Sequence, residues 1–147
     1  MKKILPPTYF FFCLIIAIAL HFLLPIKQII NSPYNWLGFL FLIIGGVLNI
    51  WADQIFKKSQ TTIKPSEKPT TFIQTGPYKF SRNPMYLGVS SLLLGIGFIL
   101  GSVTSFVGFI LFIILIEVIF IPEEEKNLQA QFGEEYEAYK QKVRRWI

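Results

Sequence analysis

Two short stretches of this chain carry residue types that could do chemistry together. One is Gly76-Pro77-Tyr78-Lys79-Phe80-Ser81-Arg82-Asn83-Pro84-Met85-Tyr86-Leu87-Gly88; the other is Glu123-Glu124-Glu125. Each lies where a long apolar run meets a charged segment, so a site there could join a polar ligand to a greasy one. Pro84 suits the first turn of a helix, whose early backbone amides have no partner within the helix. Those amides and Arg82 together would attract an anion. Glu123 to Glu125 would bring negative charge to the same place, and mutual repulsion tends to raise the pKa of clustered carboxylates. Positive and negative groups at one face suit a zwitterion such as an amino acid moiety. Tyr78 and Tyr86 add flat rings able to stack on a heterocycle or contact a sulfonium.

Glu117 is a further candidate, because an ionisable group inside an apolar run is costly to bury and therefore a functional suspect. It precedes Glu124 and Glu125 by seven and eight residues, so the three share a helix face if Pro122 only kinks the helix. Asp53 has a plainer reading, as an interfacial carboxylate bonded to a loop amide or a lysine. A solvated charge run would also explain the glutamates taken alone. Cys13 is the single cysteine and His21 the single histidine. There is thus no intrachain disulfide and no cysteine-based zinc site, and no metal is expected. Cys13 reads as packing.

The elements that must hold these groups are hydrophobic. The 147 residues leave room for one domain, and 52% of them are hydrophobic, more than a soluble domain of this size carries. A spanning helix needs roughly 20 mostly apolar residues. Runs at 6–25 and 36–56 fit. Leu87 to Ile121, 35 residues, is too long for one span and suits a hairpin turning at Gly101-Ser102, giving spans over 85–101 and 103–121. The sequence therefore predicts an all-α integral membrane protein with about four transmembrane helices in a single domain, 1–147. Lys2 and Lys3 ahead of the first run resemble a signal peptide, but cleavage after Ala17-Ile18-Ala19 would fall inside the apolar stretch, so an uncleaved helix is expected.

Between the second and third spans, 57–84 forms a long loop. Its Pro65, Pro69, Gly76-Pro77 and paired threonines argue for an extended, turn-rich segment. Phe72, Ile73, Tyr78 and Phe80 are apolar enough to dock it. From 123 to 146 the pattern is helical, with Leu128, Phe132, Tyr136, Tyr139, Val143 and Trp146 on one stripe and a break at Gly133. Such a stripe suits an amphipathic segment on the inner leaflet, with Lys140, Lys142, Arg144 and Arg145 meeting lipid phosphates.

Thirteen of the 14 basic residues fall before the first span, in the 57–84 loop or in the tail; Lys27 alone falls on the other side. The positive-inside rule then puts both termini and the long loop in the cytoplasm. Anionic lipid head groups account for the excess positive charge, and no nucleic acid is needed.

The run Thr70 to Gly88, then Glu124-Glu125-Lys126, then Phe132-Gly133-Glu134-Glu135-Tyr136 and Tyr139, resembles the isoprenylcysteine carboxyl methyltransferase family. Phospholipid methyltransferases share the broader pattern. The likeness covers roughly Trp51 to the end of the chain. It implies an integral membrane enzyme that binds S-adenosylmethionine between the pre-span loop and the helix carrying the paired glutamates. By motif, Thr71, Phe72 and Ile73 would line the cofactor and Tyr78 would contact it. Asn83, Pro84 and Tyr86, beside Arg82, would hold its amino acid end, and Glu124 would take a polar group, supported by Glu125. Asn83 stands where many members have histidine. The position where the eukaryotic enzymes carry a substrate-holding arginine is here about Phe120, which argues against a prenylcysteine carboxylate as substrate.

The expected reaction moves a methyl group to a lipophilic acceptor that enters from the bilayer. A carboxylate acceptor needs no general base, whereas an amine or thiol would, with Glu117 or Glu125 as the candidates. Two other classes fit less well. An NADPH-dependent membrane reductase would need a larger chain and a basic cluster for the 2′-phosphate. A non-catalytic membrane module would keep the fold without the chemistry.

Overall fold

The computed structural model of the protein describes residues 5–24, 26–59 and 71–147. The expectations for Lys2, Lys3, Pro25 and the 60–70 part of the long loop lie outside them. The described residues form helices α1 (Pro6–Leu23), α2 (Leu37–Lys58), α3 (Pro84–Leu100), α4 (Val107–Leu115) and α5 (Ile121–Lys142). Short 3-10 turns precede α2, α3 and α4. No strand occurs among them, only an isolated bridge between Gln28 and Ser102. Pro6–Leu23, Tyr34–Lys58 and the continuous stretch Val103–Lys142 are each long and apolar enough to cross a membrane. Helix α3 is apolar but has 17 residues, about 26 Å at 1.5 Å per residue. The protein is an all-α membrane protein.

Helices α2 and α3 run antiparallel in close contact because glycines face glycines. A methyl on Gly45 would lie 2.6 Å from the Gly88 carbonyl oxygen, and one on Gly95 would lie 2.6 Å from that of Gly38. In a bilayer, where lipid is as apolar as leucine, such small residues permit the backbone approach that holds helices together. Gly46, on the next face, has nothing near it. Gly45→Ala should therefore cost roughly 1–3 kcal/mol through overpacking. Gly46→Ala should be neutral or stabilise by up to about 1 kcal/mol through helix propensity. Thermal unfolding in detergent compares them, and equal effects would refute the glycine seam.

At the far end of the bundle the α3–α4 connection is pinned. Gly101 closes α3 with φ 74°, a left-handed conformation that glycine adopts freely. Its carbonyl accepts from the amides of Ile29 and Ile30 at 2.9 and 3.0 Å. His21 Nδ1 and the buried Ser102 hydroxyl are 2.9 Å apart. At the other end the core of Cys13, Tyr86, Leu93, Phe112, Ile116, Phe120 and Ile121 joins α1, α3 and α4. Cys13 is fully buried, its backbone close to Gly108 of α4.

The helix that begins as α4 does not stop at Pro122. Ile116–Phe120 widens into a π turn, with the Ile121 amide donating to Ile116 five residues back. Proline lacks the amide for the normal bond, and its ring crowds the carbonyl four residues earlier. The wider turn accommodates that and carries the helix on. A π turn also inserts one residue into the register, so Glu125, not Glu124, comes to lie on the face of Glu117. Further along, Gly133 kinks α5 with φ 48°.

Candidate functional site

Segment 71–83 packs against the end of α2 and against α5. Ile73 and Tyr78 are buried with Ala52, and the Tyr139 hydroxyl donates to the Tyr78 carbonyl at 2.6 Å. Phe72 stacks on Phe132 at 5.1 Å and meets Tyr139 and Tyr136 edge-on at 5.2 and 5.8 Å. The apolar stripe of α5, expected on lipid, is thus spent at Phe132, Tyr136 and Tyr139 on this segment. Tyr136 is only 2% exposed. Protein contact beats lipid contact here because segment 71–83 supplies matching rings and a backbone carbonyl.

Behind this packing lies a cavity of about 580 Å³, within the roughly 300–1,000 Å³ of small-molecule sites. One wall is polar and aromatic: Thr71, Tyr78, Arg82, Asn83, Tyr86, Glu124, Glu125 and Tyr139. The other is apolar, built by Pro6, Phe10 and Phe11 of α1, Val89 of α3 and Phe112 of α4. Phe72 and Ile73 also line it, but Pro84 and Glu117 do not. Pro84 is fully buried at the start of α3.

The charges are distributed unevenly. Glu125 receives two bonds from Arg145, Nε to Oε1 at 3.0 Å and Nη2 to Oε2 at 2.7 Å. Arg82 Nη1 lies 3.1 Å from its Oε1. Glu117 is bonded by Arg145 Nη1 and by the Trp146 indole, the latter at 2.9 Å. The tail is held through its backbone as well. The Arg145 carbonyl accepts from Asn83 Nδ2 at 3.0 Å, and the Arg144 carbonyl from the Arg82 amide at 2.9 Å. Arg145, read in sequence as a lipid-phosphate contact, is instead spent on two carboxylates. No sequence pattern signalled this, since its partners lie 20 and 28 residues away across a chain reversal after Lys142.

Glu124 stands apart. Its Oε1 accepts from the Tyr86 hydroxyl at 2.5 Å, and among the described residues no cation pairs with it. Burial, with Glu123 and Glu125 adding repulsion against the Tyr86 bond, pushes its carboxyl up to about 7. Burial likewise pushes the Tyr78 and Tyr139 phenols up, so both remain neutral donors. The stability consequence of Glu124 has a definite sign. A carboxyl raised from 4.5 to about 7 favours the fold while protonated, fully so below 4.5. That stability, on the order of 3 kcal/mol, is lost as pH rises through about 7. Glu124→Gln should therefore be more stable than the native protein at pH 8 and no more stable at pH 4.5, as read by urea or thermal unfolding. A parallel pH dependence in both proteins would refute this.

A buried donor also lacks a partner. Arg82 Nε has no hydrogen bond among the described residues, although Nη1 of the same guanidinium is engaged with both Glu125 and Tyr136. Also among the described residues, no group of three His, Cys, Asp or Glu side chains could hold a metal ion. Asp53 pairs with Lys57 at 2.5 Å, away from the cavity.

A membrane-embedded helical bundle with a mixed polar and apolar cavity at one end defines the class: an integral membrane protein able to hold a ligand that is part polar and part apolar. The chain belongs to the phospholipid methyltransferase family, whose sequence profile matches residues 33–135. It is similar to an uncharacterized protein of Haemophilus influenzae, 44% identical over 63 residues that make up 43% of this chain and 100% of that one. No solved structure matches the chain.

Proposed function

We propose that the protein binds S-adenosylmethionine against the polar wall of the cavity and methylates a lipophilic acceptor that occupies the apolar wall. The observation that carries this is that Glu124, Tyr86 and Arg82 line the same cavity as Phe10, Val89 and Phe112. The chain's groups fit the donor. Arg82 Nε, a buried donor with no partner among the described residues, suits a carboxylate, and Glu124, paired with no cation among them, suits an ammonium or a ribose hydroxyl. Tyr78, Phe72, Ile73 and Thr71 line the space left for the nucleoside.

The donor supplies a methyl sulfonium that needs no further activation. What the chain contributes is alignment and dryness. Holding two reactants in line can contribute roughly 7–11 kcal/mol of the barrier. Tyr86 fixes Glu124, and Glu125 fixes Arg82. Helix α5 with segment 71–83 closes the polar end against water. Glu125, tied to two guanidinium groups, serves in this reading to position Arg82. Glu117 serves to anchor the tail. Asn83, whose amide holds the Arg145 carbonyl, ties that tail to the start of α3.

By the charge distribution, the site and both termini face the cytoplasm of a cell membrane spanned by four helices, the short α3 among them. The donor then arrives from water and the acceptor sideways from the bilayer. Calorimetric titration of the detergent-purified full chain with S-adenosylmethionine, S-adenosylhomocysteine and NADPH tests the reading. Binding of the first two alone is expected. Silence from both in a folded sample, or heat from NADPH, would overturn it.

A further inference from the structure

We propose that Asn49 is the polar contact for the acceptor: its carboxamide oxygen accepts a hydrogen bond from an N–H or O–H group on an otherwise apolar molecule. The inference rests on the reading of the cavity's apolar end as the acceptor site.

Asn49 sits in α2, nine residues before its last residue, Lys58, about 14 Å inside the bundle at 1.5 Å per residue. Its Nδ2 donates to the Gly45 carbonyl at 2.8 Å. That carbonyl already belongs to the helix ladder, so the side-chain bond adds little to the fold. What it does is fix the carboxamide. The other end, Oδ1, receives no hydrogen bond from any described residue. Nor is it sealed in, since it is absent from the buried atoms that lack partners, and the residue lines the cavity.

The opposite helix is shaped to admit this side chain. A methyl on Gly88 would collide with Asn49 Nδ2 and lie 3.0 Å from its Cγ. Gly88 is two residues further into α3 than Tyr86, so the carboxamide lies deeper than the Tyr86–Glu124 pair, at the level of Val89. Hydrocarbon from α1, α3 and α4 lines the same cavity. An amide oxygen in such surroundings is costly to place unless it finds a donor. A leucine would pack at lower cost. The oxygen is therefore placed for a partner that no described residue supplies.

The test uses the full chain in phosphatidylcholine nanodiscs and two probe pairs. Dodecanol is compared with dodecyl methyl ether, and dodecylamine with dodecyltrimethylammonium. The protein should bind the donor-bearing member of at least one pair about threefold to tenfold more tightly than its donor-free partner, the span of one net hydrogen bond. The pair that shows the preference separates a hydroxyl acceptor from an amine. Asn49→Leu should abolish the preference while leaving the donor-free probe and S-adenosylmethionine bound within about twofold of the native values. Asn49→Ala, which adds no bulk beside Gly88, carries the same test if the leucine variant does not fold. No preference in either pair, or one that survives both substitutions, overturns the proposal. These titrations need no turnover: a preference lost on substitution, in a protein silent to S-adenosylmethionine, would sink the methyl-donor reading and leave the Asn49 contact standing.

Discussion

Replacing Arg145 with alanine is expected to lower stability by roughly 2 kcal/mol and S-adenosylmethionine affinity by at least about tenfold. Three of its nitrogens hold Glu125 and Glu117. Removing one partner of a buried pair typically costs about 3–5 kcal/mol, because the other charge stays behind uncompensated. The Arg145 side chain is 34% exposed and that of Glu117 is 35% exposed, so solvent screening reduces the loss here. The affinity loss has a separate cause. Glu125 anchors Arg82 from one side and Arg145 from the other, and a Glu125 freed by the substitution can draw Arg82 away from its ligand position. Arg145→Lys should not rescue, since one ammonium cannot make a fork to Glu125 and a third bond to Glu117. Adding Glu117→Gln to Arg145→Ala should recover part of the stability, because one stranded charge disappears. Thermal unfolding and calorimetry on the four proteins check this. Native behaviour in Arg145→Lys would show that the fork geometry is unimportant.

That network also marks where the sequence ran out. Apolar run lengths are a local property, so the helical membrane class could be read directly, and Gly101-Ser102 could be seen as the turn. The motif residues from Thr71 to Tyr86 and the glutamate pair could be named because their spacing carries chemistry. Their assignments within the site were less legible. A π turn ahead of Pro122 shifts the register by one residue, which sends Glu125 to Arg145 and Glu124 to Tyr86 instead of placing all three glutamates on one face. The glycine seam was visible in principle, since Gly38 and Gly45 are spaced like Gly88 and Gly95, and a search for small residues at matched intervals would have found it. Arg145 and Asn49 left no local trace. What sets them apart is a partner distant in sequence in one case and an unmet hydrogen bond in the other.

Glu124→Ala is expected to reduce S-adenosylmethionine affinity about 30- to 150-fold, the 2–3 kcal/mol that a charge-assisted hydrogen bond is worth in a shielded site. The same substitution should leave the fold intact. Tyr86→Phe should lose less, about threefold to tenfold, because it removes only the hydroxyl that fixes the carboxylate. The two effects should not add, since Tyr86 acts through Glu124. The pH dependence separates a ligand contact from a merely structural carboxyl. A cationic ligand group favours the carboxylate, so binding must expel the proton that burial keeps there while the pH is below about 7. Affinity should therefore rise with pH through about 7 and level off above it, opposite in direction to the stability of the unliganded protein. Titrations at pH 6 in buffers of differing ionisation enthalpy should show net proton release, approaching one per ligand, that is absent in Glu124→Gln. Equal proton release in both proteins would show that no cationic group of the cofactor meets Glu124. Release confined to the native protein would make Glu124 both the group that strains the empty site and the group that the ligand relieves.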